Sequence, residues 1–241
     1  MKKLAACVLL FVLMTSVCGA ENVKTAQELF DENPVAPVLL DRDPYLIPEI
    51  RLVNKSVKLD QSYVPELVTV ELRHKPGLAQ QKLTSEAYEA LKALFAAADR
   101  DGIELCCVSG YRAYSTQRSI YNKKVEERGK ASASLSSAPP GCSEHQLGLA
   151  MDVSSKSISY RLNTIFANSE EGKWLAAHCA EFGFIIRYKT EWTKITTYKG
   201  EPWHIRYVGR EHAEAITALN VPLETYLEYL EMCWLNVDQT M

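Results

Sequence analysis

The chain is short of several features that would point its work elsewhere. It has no block of like charges: 27 Lys and Arg stand against 30 Asp and Glu, for a net charge of −3. A mildly acidic chain without a basic stretch has nothing to track a phosphate backbone, so nucleic acid is not an expected partner. No Cys-x-x-Cys pair occurs, which removes support for a thiolate zinc site or a thioredoxin-like redox centre. Heptad runs, internal repeats and low-complexity segments are missing too. Neither a coiled coil nor an obligate protein partner is therefore implied. The most prominent apolar run, Leu4 to about Met14, is too short for a membrane span.

That run does fit another purpose. Lys2 and Lys3 precede it, and small or polar residues ending in Cys18-Gly19-Ala20 come after it, the layout of a secretory signal over residues 1–20. Export to the periplasm, the cell envelope or the medium is the expectation, with an uncleaved N-terminal anchor as the alternative. Loss of Lys2 and Lys3 would move the net charge from −3 to −5. Five cysteines would remain: Cys106, Cys107, Cys142, Cys179 and Cys233. An exported location permits disulfides, but an odd number leaves at least one thiol unpaired within the chain, and spacing does not decide the pairing.

Residues 21–66 carry Asn33-Pro34, Ala36-Pro37, Asp43-Pro44 and Val64-Pro65. Repeated proline prevents a long helix, so this stretch is expected to be an extended arm. Residues 67–236 are expected to form the functional domain. There, Thr84 can cap a helix in which Tyr88, Leu91, Phe95 and Ala98 recur at helical steps, ended by Asp101-Gly102. A buried strand over Ile103–Val108 then delivers Ser109-Gly110-Tyr111-Arg112. A second helix is expected from about Ser115 to Arg128, and the Ser-, Ala- and Pro-rich Lys130–Gly141 segment reads as a flexible loop that leads into Ser143 and could gate a site there. Asn168 with Glu171 suggests a capping box. Phe184–Arg187 and Trp203–Val208 read as strands, and about Arg210 to Trp234 as helix broken at Val221-Pro222. Helices and strands mix without regular alternation. This favours a compact single α+β domain, with a small, mostly antiparallel sheet flanked by helices.

Two short stretches carry the chemistry: Ser143-Glu144-His145-Gln146-Leu147-Gly148-Leu149-Ala150-Met151-Asp152, and Glu201-Pro202-Trp203-His204. They offer two imidazoles and a carboxylate for a zinc ion, with a further carboxylate beside His204. Three protein ligands leave a fourth tetrahedral position open, as catalytic rather than structural zinc requires. His145 and Asp152 are seven residues apart, an odd spacing that an unbroken strand would send to opposite faces. Their convergence needs a bend, which Gly148 can supply. Taken alone, His145 could be a surface residue, Asp152 a turn cap and His204 a core-edge histidine. Glu201 could serve as general base, taking a proton from water and passing it to a leaving amine, or could merely pair with Lys199 or Arg206. Arg112 could stabilise an oxyanion, bind a substrate carboxylate or form a structural salt bridge.

The ordered set Ser109-Gly110-Tyr111-Arg112 with Gln117, then Ser143-x-His145-x-x-Gly148-x-Ala150-x-Asp152, then Glu201-Pro202-Trp203-His204-x-Arg206 resembles the VanY-type D-alanyl-D-alanine carboxypeptidases, zinc peptidases of the LAS group. Leu52-Val53-Asn54-Lys55, Tyr63-Val64-Pro65 and Leu223-Glu224-x-Tyr226-Leu227 share the resemblance. It implies Zn2+ held by His145, Asp152 and His204, with Glu201 as general base and acid and Arg112 on the oxyanion side. Ser143 and Gln117 match substrate-binding positions. The implied activity is a D,D-carboxypeptidase that trims terminal D-alanine from peptidoglycan stem peptides. The same framework could serve an L,D-carboxypeptidase or an endopeptidase, and a zinc-stabilised cell-wall binding module is the non-catalytic alternative.

Overall fold

A computed structural model describes residues 23–238; the expected signal over 1–20 lies outside the described residues. The arm is not extended throughout. Its first element is a short helix, α1 (Ala26–Glu32), started by a capping box in which the Thr25 hydroxyl accepts from the Glu28 amide and the Glu28 carboxylate accepts from the Thr25 amide. Asn33-Pro34 comes next, and from there the arm is irregular except for one 3₁₀ turn at Pro44–Leu46. The proline argument holds for this later part; α1 precedes the first proline.

Beyond the arm come the two-residue strands β1 (Val68–Thr69) and β2 (Lys82–Leu83), paired antiparallel. Thr84 then caps α2 (Ser85–Arg100), which buries Leu91, Leu94, Phe95 and Ala98 on one face. Each large apolar side chain so buried contributes roughly 1.5–3 kcal/mol over its exposed state, enough to fix the helix against the sheet. The rest runs β3 (Cys106–Ser109), α3 (Tyr114–Arg128), α4 (Lys130–Ser136), β4 (Ala150–Ser154), α5 (Glu170–His178), β5 (Phe184–Tyr188), α6 (Thr193–Thr196), β6 (Glu201–Tyr207), α7 (Arg210–Leu219) and α8 (Leu223–Asp238). The fold is α+β. No helix among the described residues is long and apolar enough to cross a membrane.

Two expectations need correction. The segment expected to be a flexible loop is helical over Lys130–Ser136, because Ala and Leu favour helix and Ala133 packs out of water. The Tyr121 hydroxyl bonds Ser134 Oγ at 2.7 Å, and Lys124 Nζ donates to the Ser136 carbonyl at 3.0 Å, tying α4 to α3. The cap of α5 is Ser169, whose hydroxyl accepts from the Gly172 amide, while Asn168 ends a preceding 3₁₀ turn.

Strands β3-β4-β6-β5 form one antiparallel sheet in that order. Side chains alternate across its faces. Cys107, Met151, Val153 and Ile205 turn into the core with α2 and α5. Asp152 and His204, each offset by one residue from those core positions, point the other way. A second apolar cluster forms where α1 and the arm meet α7 and α8, with Leu29, Ile50, Ile216, Tyr226 and Leu230 buried. The Tyr229 hydroxyl of α8 donates to the Asn33 carbonyl at 2.8 Å, binding the arm to the C-terminal helix. All five thiols are free and buried, and burial raises the Cys107 and Cys142 pKa values, so these thiols pack as small apolar groups.

Candidate active site

Strand register does most of the assembly. Asp152 in β4 is paired directly with His204 in β6, so both project from the same face. On the other side of β4, Cys107 opposes Val153, and the next pair is Ser109 with Asp152. That slip of one residue is a bulge, and it turns Ser109 to the face that carries Asp152. His145 arrives from outside the sheet, in a 3₁₀ turn (Glu144–Leu147) closed by Gly148 at φ +73°. The left-handed conformation there is the bend that the odd spacing demanded. Leu67, Pro65 and Thr84 crowd the space a side chain would need at Gly148.

His145, Asp152 and His204 come together, all buried, each offering one donor atom within 4.8 Å of the others. His145 Nε2 is 3.4 Å from Asp152 Oδ2, and His204 Nδ1 is 3.1 Å from Asp152 Oδ1. Zinc bonds of 2.0–2.1 Å at tetrahedral angles place ligand atoms roughly 3.3–3.4 Å apart. Asp152 thus turns one oxygen toward each histidine at close to that spacing, and the donor set suits a metal ion. The remaining ring nitrogens fix the tautomers. His145 Nδ1 donates to the Gly110 carbonyl at 2.8 Å, leaving Nε2 free as a donor to metal; His204 Nε2 faces Glu144 Oε2 at 3.4 Å, leaving Nδ1.

Glu144 stands in the quoted motif without an assigned role, and its surroundings explain its presence. Its Oε1 accepts from Arg187 Nε at 2.7 Å and from Arg206 Nη1 at 2.8 Å. Arg187 also donates to both carboxylate oxygens of Glu224, at 2.9 and 2.7 Å. Arg206 reaches the Glu49 and Arg51 carbonyls of the arm, each at 2.9 Å. Burial opposes charge on Glu144, but the two guanidiniums outweigh it and hold the carboxyl well below the usual range. Arg206 is thus committed to Glu144 and does not pair with Glu201. A buried four-charge network links α8, β5, β6 and the arm to a ligand histidine.

Glu201, the first residue of β6, sits 4.0 Å from His204 Nδ1 and is about one fifth exposed. Burial raises its pKa to about 7, against the opposing pull of His204. Unlike Glu144 and Asp152, its side chain has no hydrogen-bond partner among the described residues. Arg112 lies on the opposite side, 3.8 Å from Asp152 Oδ2. Ser109 Oγ accepts from its Nη2 at 2.7 Å, and Gln117 Oε1 from its Nη1 at 2.8 Å. Gln117 also donates to the Ala138 carbonyl at 2.6 Å and is itself buried. Its amide is therefore engaged at both ends. Ser143 lines the same cleft, and its hydroxyl makes no capping bond.

These groups open into one cavity of about 510 Å³, walled by Tyr188 and Tyr198 on one side and by α3 on another. Sequence reasoning brought together Arg112, His145, Asp152, Glu201 and His204, and the structure places all five here. It missed the Glu144 network, whose partners are 37 to 62 residues apart. The one available signal was charge at positions that alternate with core residues: Arg187 in β5 and Arg206 in β6.

A family model described as VanY, D-alanyl-D-alanine carboxypeptidase, matches residues 80–210. The Bacillus subtilis (strain 168) protein YodJ is 41% identical, over 74% of this chain and 67% of its own length. A D-alanyl-D-alanine carboxypeptidase of Enterococcus faecalis (strain ATCC 700802 / V583) is 37% identical, over 73% of this chain and 64% of its own. The chain thus spans about two thirds of the length of these relatives. Among solved structures, the LD-carboxypeptidase LdcB superposes with a TM-score of 0.72 at 42% identity, covering 76% of this chain and 87% of that one. A VanY D,D-pentapeptidase from a VanB-type resistance cassette, solved in complex with Zn(II), gives 0.63 at 35% identity, covering 75% and 99%. With the motifs in one cleft and the match spanning the whole sheet, the chain belongs to the VanY family of D-alanyl-D-alanine carboxypeptidases.

Proposed function

We propose that this protein is an exported zinc D,D-carboxypeptidase that removes the terminal D-alanine from peptidoglycan stem peptides. The observation that carries the reading is the single cleft in which a buried His-Asp-His triad, an uncommitted carboxylate and a held guanidinium face one another. His145, Asp152 and His204 would hold the ion. Zinc, when bound, supplies Lewis-acid polarisation and a nucleophilic water near neutral pH.

The chain's own residues do the rest. Glu201 takes the proton of the attacking water and returns it to the leaving amine; a pKa near neutrality suits both transfers. Arg112 donates to the scissile carbonyl as negative charge grows on its oxygen, and Ser109 and Gln117 hold the guanidinium so that no reorganisation is needed then. Gln117 therefore orients Arg112, while Ser143 is placed to meet the substrate. Export rests on Lys2, Lys3 and the apolar run after them.

The LdcB likeness supports a second reading, L,D-carboxypeptidase activity on a shortened stem. Mass spectrometry of the zinc-loaded protein with defined pentapeptide and tetrapeptide stems separates the two. Loss of one alanine from the pentapeptide, abolished in Glu201→Ala with metal content intact, is the expected result. Trimming of the tetrapeptide alone would move the activity to the L,D class. Full activity without Glu201 would remove its assignment as base.

A further inference from the structure

We infer that the outer cleft contains an anion subsite, formed by Lys124 and Arg128, that selects substrates bearing a second carboxylate upstream of the cleaved bond. The inference rests on the carboxypeptidase reading for the direction in which the substrate lies.

The cleft is electrically divided. Its inner part holds its only lining carboxylates among the described residues, Glu144, Asp152 and Glu201. Glu144 and Asp152 face arginines there. Beside them the rest of the charged lining is cationic: Lys124, still within electrostatic reach of Glu201, and Arg128 on α3, and Lys199 on the facing wall. None of the three has an ion-pair partner among the described residues, although the chain as a whole is acidic. On α3, Lys123 pairs with Glu127 on a different side of the helix. Cations kept unpaired in a concave site raise the local concentration of anionic ligands and favour those that present charge to them.

Spacing says which part of a substrate would meet them. Gln117, Ile120, Lys124 and Arg128 line the cleft along one face of α3. Gln117 holds Arg112, so it marks the reacting end. At 1.5 Å per residue, Lys124 lies roughly 10 Å and Arg128 roughly 16 Å further along the helix. An extended peptide advances about 3.3–3.6 Å per residue. Lys124 therefore faces a side chain about three residues before the scissile bond, and Arg128 one about four to five residues before it. A carboxypeptidase releases a single residue on the other side, so this is the acyl part of the peptide. Lys124 Nζ donates once, to the Ser136 carbonyl, and has two further hydrogens for a ligand.

The test uses N-acetylated peptides ending in D-Ala-D-Ala that differ only in Glu or Gln, placed three, four or five residues before the cleaved bond. Their affinity is measured by calorimetry on the zinc-loaded Glu201→Ala protein, and their turnover on the wild type. The acidic member should bind about 10-fold more tightly in at least one pair, as expected for a charge-assisted contact. Adding Lys124→Gln and Arg128→Gln should bring the pair to parity, whereas Lys124→Arg should keep the preference. Arg128→Gln alone, at an exposed position, should narrow it without disturbing the fold. Taking the ratio within a pair cancels any effect on the chemical step. Equal affinities, no binding of either peptide, or a preference that survives the double variant would overturn the subsite. A binding preference without cleavage by the wild type would leave the subsite standing and overturn the proposed function instead.

Discussion

The metal centre has two flanks built on different principles. On the β3 side, its supports are neutral and near neighbours in sequence: Gly110 holds His145, and Ser109 and Gln117 hold Arg112. On the β5 and α8 side they are ionised, buried and far apart: Glu144, Arg187, Arg206 and Glu224. Neutral hydrogen bonds can orient a guanidinium that must stay partly open to substrate, and Arg112 is 19% exposed. A buried network is different, because each charge depends on all the others being present. The neutral flank aims a group; the charged flank locks a ligand histidine to the C-terminal helix and to the arm.

Three variants would sharpen or break that contrast. The largest stability effect is expected from Arg187→Met, which leaves Glu224 without its bidentate partner and Glu144 with one cation. Loss of a buried partner costs about 3–5 kcal/mol, measurable as a shift in denaturant midpoint. A near-neutral result would mean that water reaches the network. Next comes Arg112→Ala: turnover should fall by about 10²–10³ while thermal stability barely changes. If this variant melts as early as Arg187→Met, the two flanks are not distinct. The smallest effect on the metal itself belongs to Glu144→Gln, which should weaken zinc binding by about 10–100-fold in a chelator competition through its contact with His204, alongside a loss of stability because Arg187 and Arg206 both lose its charge. Unchanged zinc affinity would confine Glu144 to structural work.

Much of this site was legible in one dimension. Asp152 and His204 lie within short strands whose flanking core residues disclose which way they point, and Gly148 announced the turn that brings in His145. Helices α2 and α3 could be read from spacing and caps. Helix α4 could not, since its three serines and the prolines after it outweighed the weak helical preference of its lysine, leucine and two alanines until Ala133 was seen to pack. The Glu144 network was illegible for a stronger reason. A charged residue in a sequence reads as solvent-exposed, and nothing local reports that a second charge from another element will meet it.

The sequence by itself determined the chemistry available: which side chains could ligate a metal, shuttle a proton or stabilise an oxyanion, and on which segments they stand. Those properties belong to residue types and to the period of the local backbone. Only the tertiary structure decided which nitrogen of each histidine remains free for metal, which carboxylate stays uncommitted and which cations face an open cleft. These outcomes depend on what burial places beside each group, and desolvation makes the identity of that neighbour decisive.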